Sequence, residues 1–186
     1  PADRGNAVGV AGNDVTIRNS TLNHAGDNTG NGTGGALGFG SGKTGLTVEN
    51  NTLKGGSLII NGAAEDADIT IRGNLMSGAK AGYDAMFAYS GMANATYTIK
   101  DNTFTNFEYK DSDGNAVGTT YGIKIVEGAS INGETEAQAQ IESLLTENDT
   151  SNVLVPGADN GETGDEIHGI FISNSLLDDT ENKVYS

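Results

Sequence analysis

"YTIKDNTF", from Tyr97 to Phe104, is an eight-residue word that the chain writes several times. VTIRNSTL starts at Val15, LTVENNTL at Leu46 and ITIRGNLM at Ile69, and a looser IFISNSLL starts at Ile170. Within the word Val15, Ile17 and Leu22 are apolar while Thr16 and Arg18 are polar. The same places hold Leu46, Val48 and Leu53, then Ile69, Ile71 and Met76, then Tyr97, Ile99 and Phe104. Alternation with a period of two marks a strand with one buried face. An Asn follows at the fifth or sixth position: Asn19, Asn51 (with Asn50), Asn74, Asn102 and Asn174. Asn tolerates left-handed backbone angles and bonds its own main chain, so it turns the strand. Side-chain amides stacked in successive strands can also bond to one another as a ladder.

The spacing of the words varies while the word itself does not. Helical repeats hold their period, whereas a β-solenoid combines fixed strands with loops of free length. A second strand series lies between the words: AVGVAG from Ala7, GALGFGSG from Gly35, GSLIING from Gly56, DAMFAYSG from Asp84 and TYGIKIVEG from Thr120. Each is a short apolar or alternating run closed by Gly or Asn. A coil therefore contains at least two strands, and the coil itself is the crossover that parallel pairing needs.

The word V/I-T-I-x-x-N-x-F/L resembles the repeat of right-handed parallel β-helix proteins, which include pectate lyases, polygalacturonases, phage tailspikes and autotransporter passenger domains. The resemblance is close over about residues 7–104 and looser over 121–177. It implies an all-β fold, a right-handed parallel β-helix (solenoid) of five or six coils with a short inserted α-helix. One fold hosts many functions, so it implies little about activity.

The pattern breaks at 129–165. TEAQAQIESLLTE predicts an amphipathic helix over about 135–147, with Ala137, Ile141, Leu144 and Leu145 on one face and a capping box from Thr135 to Gln138. The rest of the insertion reads as loop, with a short strand at Val153 to Val155. A bulky insertion either carries function or covers an edge. The 186 residues form a single domain; the opening PADRGNAVGV, without an initiator Met, and strand words close to both ends predict a fragment of a longer chain with further coils.

Twenty-eight glycines with two prolines fit many tight turns between short strands. The formal charge of −15 repels nucleic-acid phosphates and anionic membranes. There is no Cys, hence no disulfide framework or thiolate metal site. No apolar run approaches the ~20 residues of a helical membrane span.

The chemistry expected of the enzymes among these look-alikes is hard to find. Acid–base hydrolysis of a glycoside needs two convergent carboxylates. The adjacent acids are Glu65 and Asp66, Asp165 and Glu166, and Asp178 and Asp179; none has the Gly-Asp-Asp context that the resemblance asks for. His168 precedes Gly169 but follows Ile167, where the corresponding motif has Gly, and Lys124 stands without the basic Arg-Ile-Lys signature. A calcium-dependent lyase needs clustered carboxylates and a basic proton acceptor. Calcium is the one cofactor left open, with Asp111 and Asp113 in DSDGN and Asp159 and Asp165 in ADNGETGDE as ligands. DSDGN lacks the distal Glu of an EF-hand and reads better as an Asp-Gly turn. GSGKT at Gly40 ends like a phosphate loop, but Leu37 stands where the first Gly belongs.

Arg18, Glu49, Arg72 and Lys100 share the fourth position of the word. Stacked ~4.8 Å apart, Arg18 with Glu49 and Glu49 with Arg72 are expected to pair. Arg72 and Lys100 would leave a small basic spot able to meet an acidic sugar. Together with Tyr89, Tyr109 and Tyr121 they form the candidate ligand patch.

These features predict a non-catalytic, extracellular bacterial surface segment, adhesin-like or autotransporter-passenger-like, presenting loops to a host glycan or protein. The alternatives are a β-helix polysaccharide lyase or glycoside hydrolase, and a self-assembling surface-layer or filament subunit.

Overall fold

The structure is a computed structural model. It describes residues 7–24, 36–40, 42–54, 58–60, 64, 66–77, 86–88, 95–105, 123–126, 130–152, 155–156, 166–167, 170–173 and 184–185. Strands follow one another in triplets. The first is β1 (Val8–Val10), β2 (Val15–Arg18) and β3 (Thr21–Asn23), and the second is β4 (Leu37–Phe39), β5 (Gly45–Glu49) and β6 (Thr52–Lys54). The third is β7 (Leu58–Ile60), β8 (Asp68–Arg72) and β9 (Leu75–Ser77), and the fourth is β10 (Met86–Ala88), β11 (Thr96–Lys100) and β12 (Thr103–Thr105). In the fifth, β13 (Ile123–Val126) and β14 (Ser130–Ile131) are followed by helix α1 (Ala137–Glu147) before β15 (Asp149–Asn152). A short antiparallel pair, β16 (Val155–Pro156) and β17 (Glu166–Ile167), precedes β18 (Ile170–Ser173) and β19 (Val184–Tyr185).

Each triplet gives one strand to each of three sheets. The first sheet runs β1-β4-β7-β10-β13-β18 in parallel and ends with β19 antiparallel. The second runs β2-β5-β8-β11-β14 and the third β3-β6-β9-β12-β15, both parallel. The fold is all-β, with parallel sheets and little helix. The repeated word supplies two strands, not one, because its Asn bends it between the second sheet and the third.

Registers align like positions of the word. Leu46 faces Ile69 and Ile69 faces Tyr97; Val48 faces Ile71 and Ile71 faces Ile99. In the third sheet Leu53 faces Met76, and Met76 faces Phe104. All of these are buried, and with Leu37, Phe39, Leu58 and Ile60 of the first sheet they form one hydrophobic core. Parallel in-register stacking puts apolar beside apolar: the Val48, Ile71 and Ile99 column is β-branched throughout, and Tyr97 and Phe104 pack on the aliphatic Ile69 and Met76. In the first triplet Val15, Ile17 and Leu22 are half-buried and pack against the same core.

Helix α1 starts two residues later than the sequence suggests. Glu136, not Thr135, is its N-cap and makes no side-chain cap bond. Gln140 is instead buried and donates through Nε2 to the Glu134 carbonyl at 3.0 Å. Leu144 is fully buried and Leu145 packs against the core, as the apolar face requires. β14 and β15 both fall within 129–165 and pair with β11 and β12, so this stretch extends two sheets as well as carrying the helix.

Among the described residues Tyr97 is the largest fully buried side chain, and burial pushes its hydroxyl well above the ordinary tyrosine range. In the unfolded chain that hydroxyl loses its proton near pH ~10. Above that pH the unfolded state binds fewer protons than the folded one, so stability falls as pH rises. Denaturant midpoints measured at rising alkaline pH should show this decline, and Tyr97→Phe should make it shallower.

Candidate functional site

The corner between the second and third sheets is built from two residues with separate tasks. The first turns the backbone: Asn19, Asn50 and Asp101 have φ of 52°, 54° and 57°, and Gly73 has 64°. Each N–H donates to a carbonyl of the next triplet, from Asn19 to Glu49, Asn50 to Arg72, Gly73 to Lys100 and Asp101 to Glu147. Gly73 has a second reason to lack a side chain, since a Cβ there would meet Asn50 Oδ1 at 2.5 Å.

The second corner residue carries the ladder. Asn51, Asn74, Asn102 and Asn148 are buried with their carboxamides in line. Nδ2 of Asn51 donates to Asn74 Oδ1 at 3.1 Å, Asn74 to Asn102 at 2.9 Å, and Asn102 to Asn148 at 2.9 Å. Each of those oxygens also accepts the backbone N–H of the Asn before it, at 2.9–3.1 Å. The second hydrogen of each Nδ2 goes to a strand carbonyl: Ile17, Val48, Ile71 and Ile99 in turn. At one end Asn148 gives its remaining hydrogen to the Leu144 carbonyl of α1. At the other end Ser20 holds the ladder place, and its N–H reaches Asn51 Oδ1 at 3.0 Å.

The expected turn residues divide accordingly. Asn51, Asn74 and Asn102 are ladder residues, but Asn19 is a left-handed corner residue, because register sets Ser20, not Asn19, opposite Asn51. Asn174 lies outside the described residues. Asn148 escaped sequence reading because α1 parts it from the rest of its word. The signal was there in Glu147-Asn148, which repeats the acid-then-Asn order of Asp101-Asn102.

The charged column is confirmed in register: Arg18 opposite Glu49, Glu49 opposite Arg72, and Arg72 opposite Lys100. Its pairing differs from expectation. Arg72 Nε lies 2.9 Å from Asp101 Oδ2, and Lys100 Nζ lies 3.3 Å from Glu147 Oε1. Among the described residues Glu49 pairs with neither Arg18 nor Arg72. The corner turns Asp101 diagonally toward Arg72, and α1 delivers Glu147 to the layer beyond Lys100. The basic spot expected of Arg72 and Lys100 is thus two exposed ion pairs. Each cation has a carboxylate beside it, so the spot offers little net positive charge to an acidic ligand. Tyr89, Tyr109 and Tyr121 lie outside the described residues, as do Asp111, Asp113, Asp159 and Asp165. Among the described residues no three His, Asp or Glu side chains gather as a metal cluster.

What the corner does chemically is to hold successive layers in register while its outer rim carries charges of both signs. Removing one amide tests this. Asn74→Ala leaves the Val48 carbonyl and the Asn51 backbone N–H without these buried partners, at a cost of about 3 kcal/mol. Ser20→Asn should do the reverse, giving Asn51 Oδ1 a second donor and adding about 1 kcal/mol. Equilibrium urea unfolding of the two variants beside the parent measures both. Equal midpoints for Asn74→Ala and the parent would remove the ladder as the register-setting element.

In comparisons with known proteins, no family, no curated protein and no solved structure matches the chain.

Proposed function

We propose that the three sheets wind as a right-handed parallel β-helix, and that the chain is a non-catalytic segment of an extracellular bacterial surface protein, similar to an adhesin or an autotransporter passenger. The observation that carries this reading is a contrast in connection length. From second sheet to third, the chain takes two residues in each of the first four triplets. From third sheet to first, it takes residues 24–36, 55–57, 78–85 and 106–122. Register is set at one corner, and length is free at another. Because closing a loop costs only slowly more as it lengthens, such a scaffold accepts connections of very different size. That is what presentation of binding loops requires.

The longest of these connections, 106–122, contains Phe107, Tyr109 and Tyr121 with Asp111 and Asp113. Aromatic faces with hydrogen-bonding acids suit a sugar or a polar protein surface. The net charge of −15 supports solubility and disfavours nucleic acid as partner. Calcium held by the acidic connections, and further coils of the same chain, belong to this proposal as well.

The test is binding of the whole chain to an immobilised panel of neutral and acidic glycans and to host-cell surfaces. A second protein has 106–122 replaced by Gly-Gly-Ser, the connection used at 55–57. The parent should bind a subset of the panel without shortening any polysaccharide. The shortened variant should keep its β-sheet circular dichroism and lose about tenfold or more in affinity, the size expected when one or two anchoring side chains go. New reducing ends or unsaturated sugars would move the assignment to a hydrolase or lyase. Mass that grows with concentration would move it to an assembly subunit.

A further inference from the structure

The outer edge of β11 is closed in an unusual way. β14 ends at Ile131, after pairing with Thr96 and Tyr97 only. The chain then turns left-handed at Asn132 and Gly133, with φ of 53° and 91°. The Asn132 N–H still donates to the Tyr97 carbonyl at 2.7 Å. Beyond that point β14 offers Ile99 no strand partner on this edge, and the Asn132 side chain takes over. Its Oδ1 accepts the Ile99 N–H at 2.7 Å, and its Nδ2 donates to the Ile99 carbonyl at 3.0 Å. A carboxamide carries the donor and acceptor of a peptide group in one plane, so it replaces the missing stretch of strand. The same Nδ2 lies 3.0 Å from Ser143 Oγ, which ties the edge to α1.

Asn132 is followed by Gly133, which is exposed and has open space where a Cβ would stand. With no side chain to hinder it, a glycine nitrogen can attack the preceding carboxamide. We infer that Asn132–Gly133 is a latched deamidation site: slow to react while its carboxamide closes the β11 edge, and once converted able to accept the Ile99 N–H but no longer to donate to the Ile99 carbonyl, which keeps only Asn148 Nδ2.

The reaction needs only water. The Gly133 backbone nitrogen attacks Asn132 Cγ; a C–N bond forms, the Gly133 N–H proton is lost, and the carboxamide nitrogen leaves as ammonia. Water then adds to one carbonyl of the cyclic imide, the C–N bond at that carbonyl breaks and its nitrogen regains a proton, giving aspartate or its β-linked isomer with no oxidant or reductant. In the folded chain Cγ reaches the Gly133 nitrogen only by giving up the bonds to Ile99 and Ser143. After conversion an oxygen stands where Nδ2 stood. It can accept from Ser143, but it sets a lone pair against the Ile99 carbonyl. The β-linked product also lengthens the backbone at the turn that leads into α1.

The experiment ages the full chain in mildly alkaline buffer, folded and in urea, and follows each Asn-Gly pair by peptide mass mapping. Asn31–Gly32, Asn61–Gly62 and Asn160–Gly161 serve as comparisons in the same molecule. Asn132 should convert about tenfold or more slowly when folded than in urea, as expected for bonds that must break first. Ser143→Ala should quicken folded-state conversion at Asn132 and leave the other three pairs unchanged. Converted protein, separated from unconverted by anion exchange, should show faster amide exchange across 137–147, and Asn132→Asp should reproduce this wherever it folds. Equal rates at Asn132 folded and in urea, or unchanged exchange of α1 in the converted form, would overturn the inference.

Discussion

A carboxamide that uses every one of its hydrogen-bonding valences is the interaction on which this architecture rests. A buried polar group is tolerable only when satisfied. In the Asn column each Nδ2 gives two hydrogens and each inner Oδ1 accepts two. Ser is too short to bridge layers, Gln too long for the corner, and Asp has no hydrogen to give. A one-residue slip of any triplet would strand several buried groups at once and turn its apolar positions outward. The ladder is therefore a register device first, and its contribution to stability follows from that role.

Because the ladder holds register at one corner, the others are released from holding it. The core columns follow from that alignment: once Asn51 and Asn74 are opposed, Val48 must meet Ile71 and Leu53 must meet Met76. Connections from third sheet to first then vary without disturbing the stack. A fixed corner and free connections are two aspects of one constraint, and the proposed presentation of loops depends on it.

The strand word made most of this legible. Period-two alternation located the buried columns, and the recurrent Asn located the corner. Other features were hidden for reasons of geometry. Two adjacent corner residues do different work, and in "RNS" the Asn is the turning residue while Ser20 stands at the ladder place. A reading that keyed on Asn alone could not separate them. In the sequence the charge column is a straight file of neighbours, but side chains also reach diagonally, and Asp101, one residue past the strand, takes Arg72. Glu147 and Asn148 lie on the far side of a helix, so only the folded chain reveals that they complete the columns of Lys100 and Asn102.

That helix shows how an insertion can interrupt a strand without breaking the stack. The fifth triplet abandons the second sheet after two residues, which ought to leave half of β11 without a partner. Asn132 answers with a side chain that imitates a peptide, and the C-terminal end of α1 answers with the Glu147 carbonyl, which accepts the Asp101 N–H at 2.6 Å. Leu144 meanwhile joins the same buried core as Ile99 and Ile131. Backbone donors at a sheet edge must be met somehow, and a helix end has unused carbonyls to meet them with. The insertion thus returns the chain to its register at Asn148, where the ladder resumes as though the strand had continued.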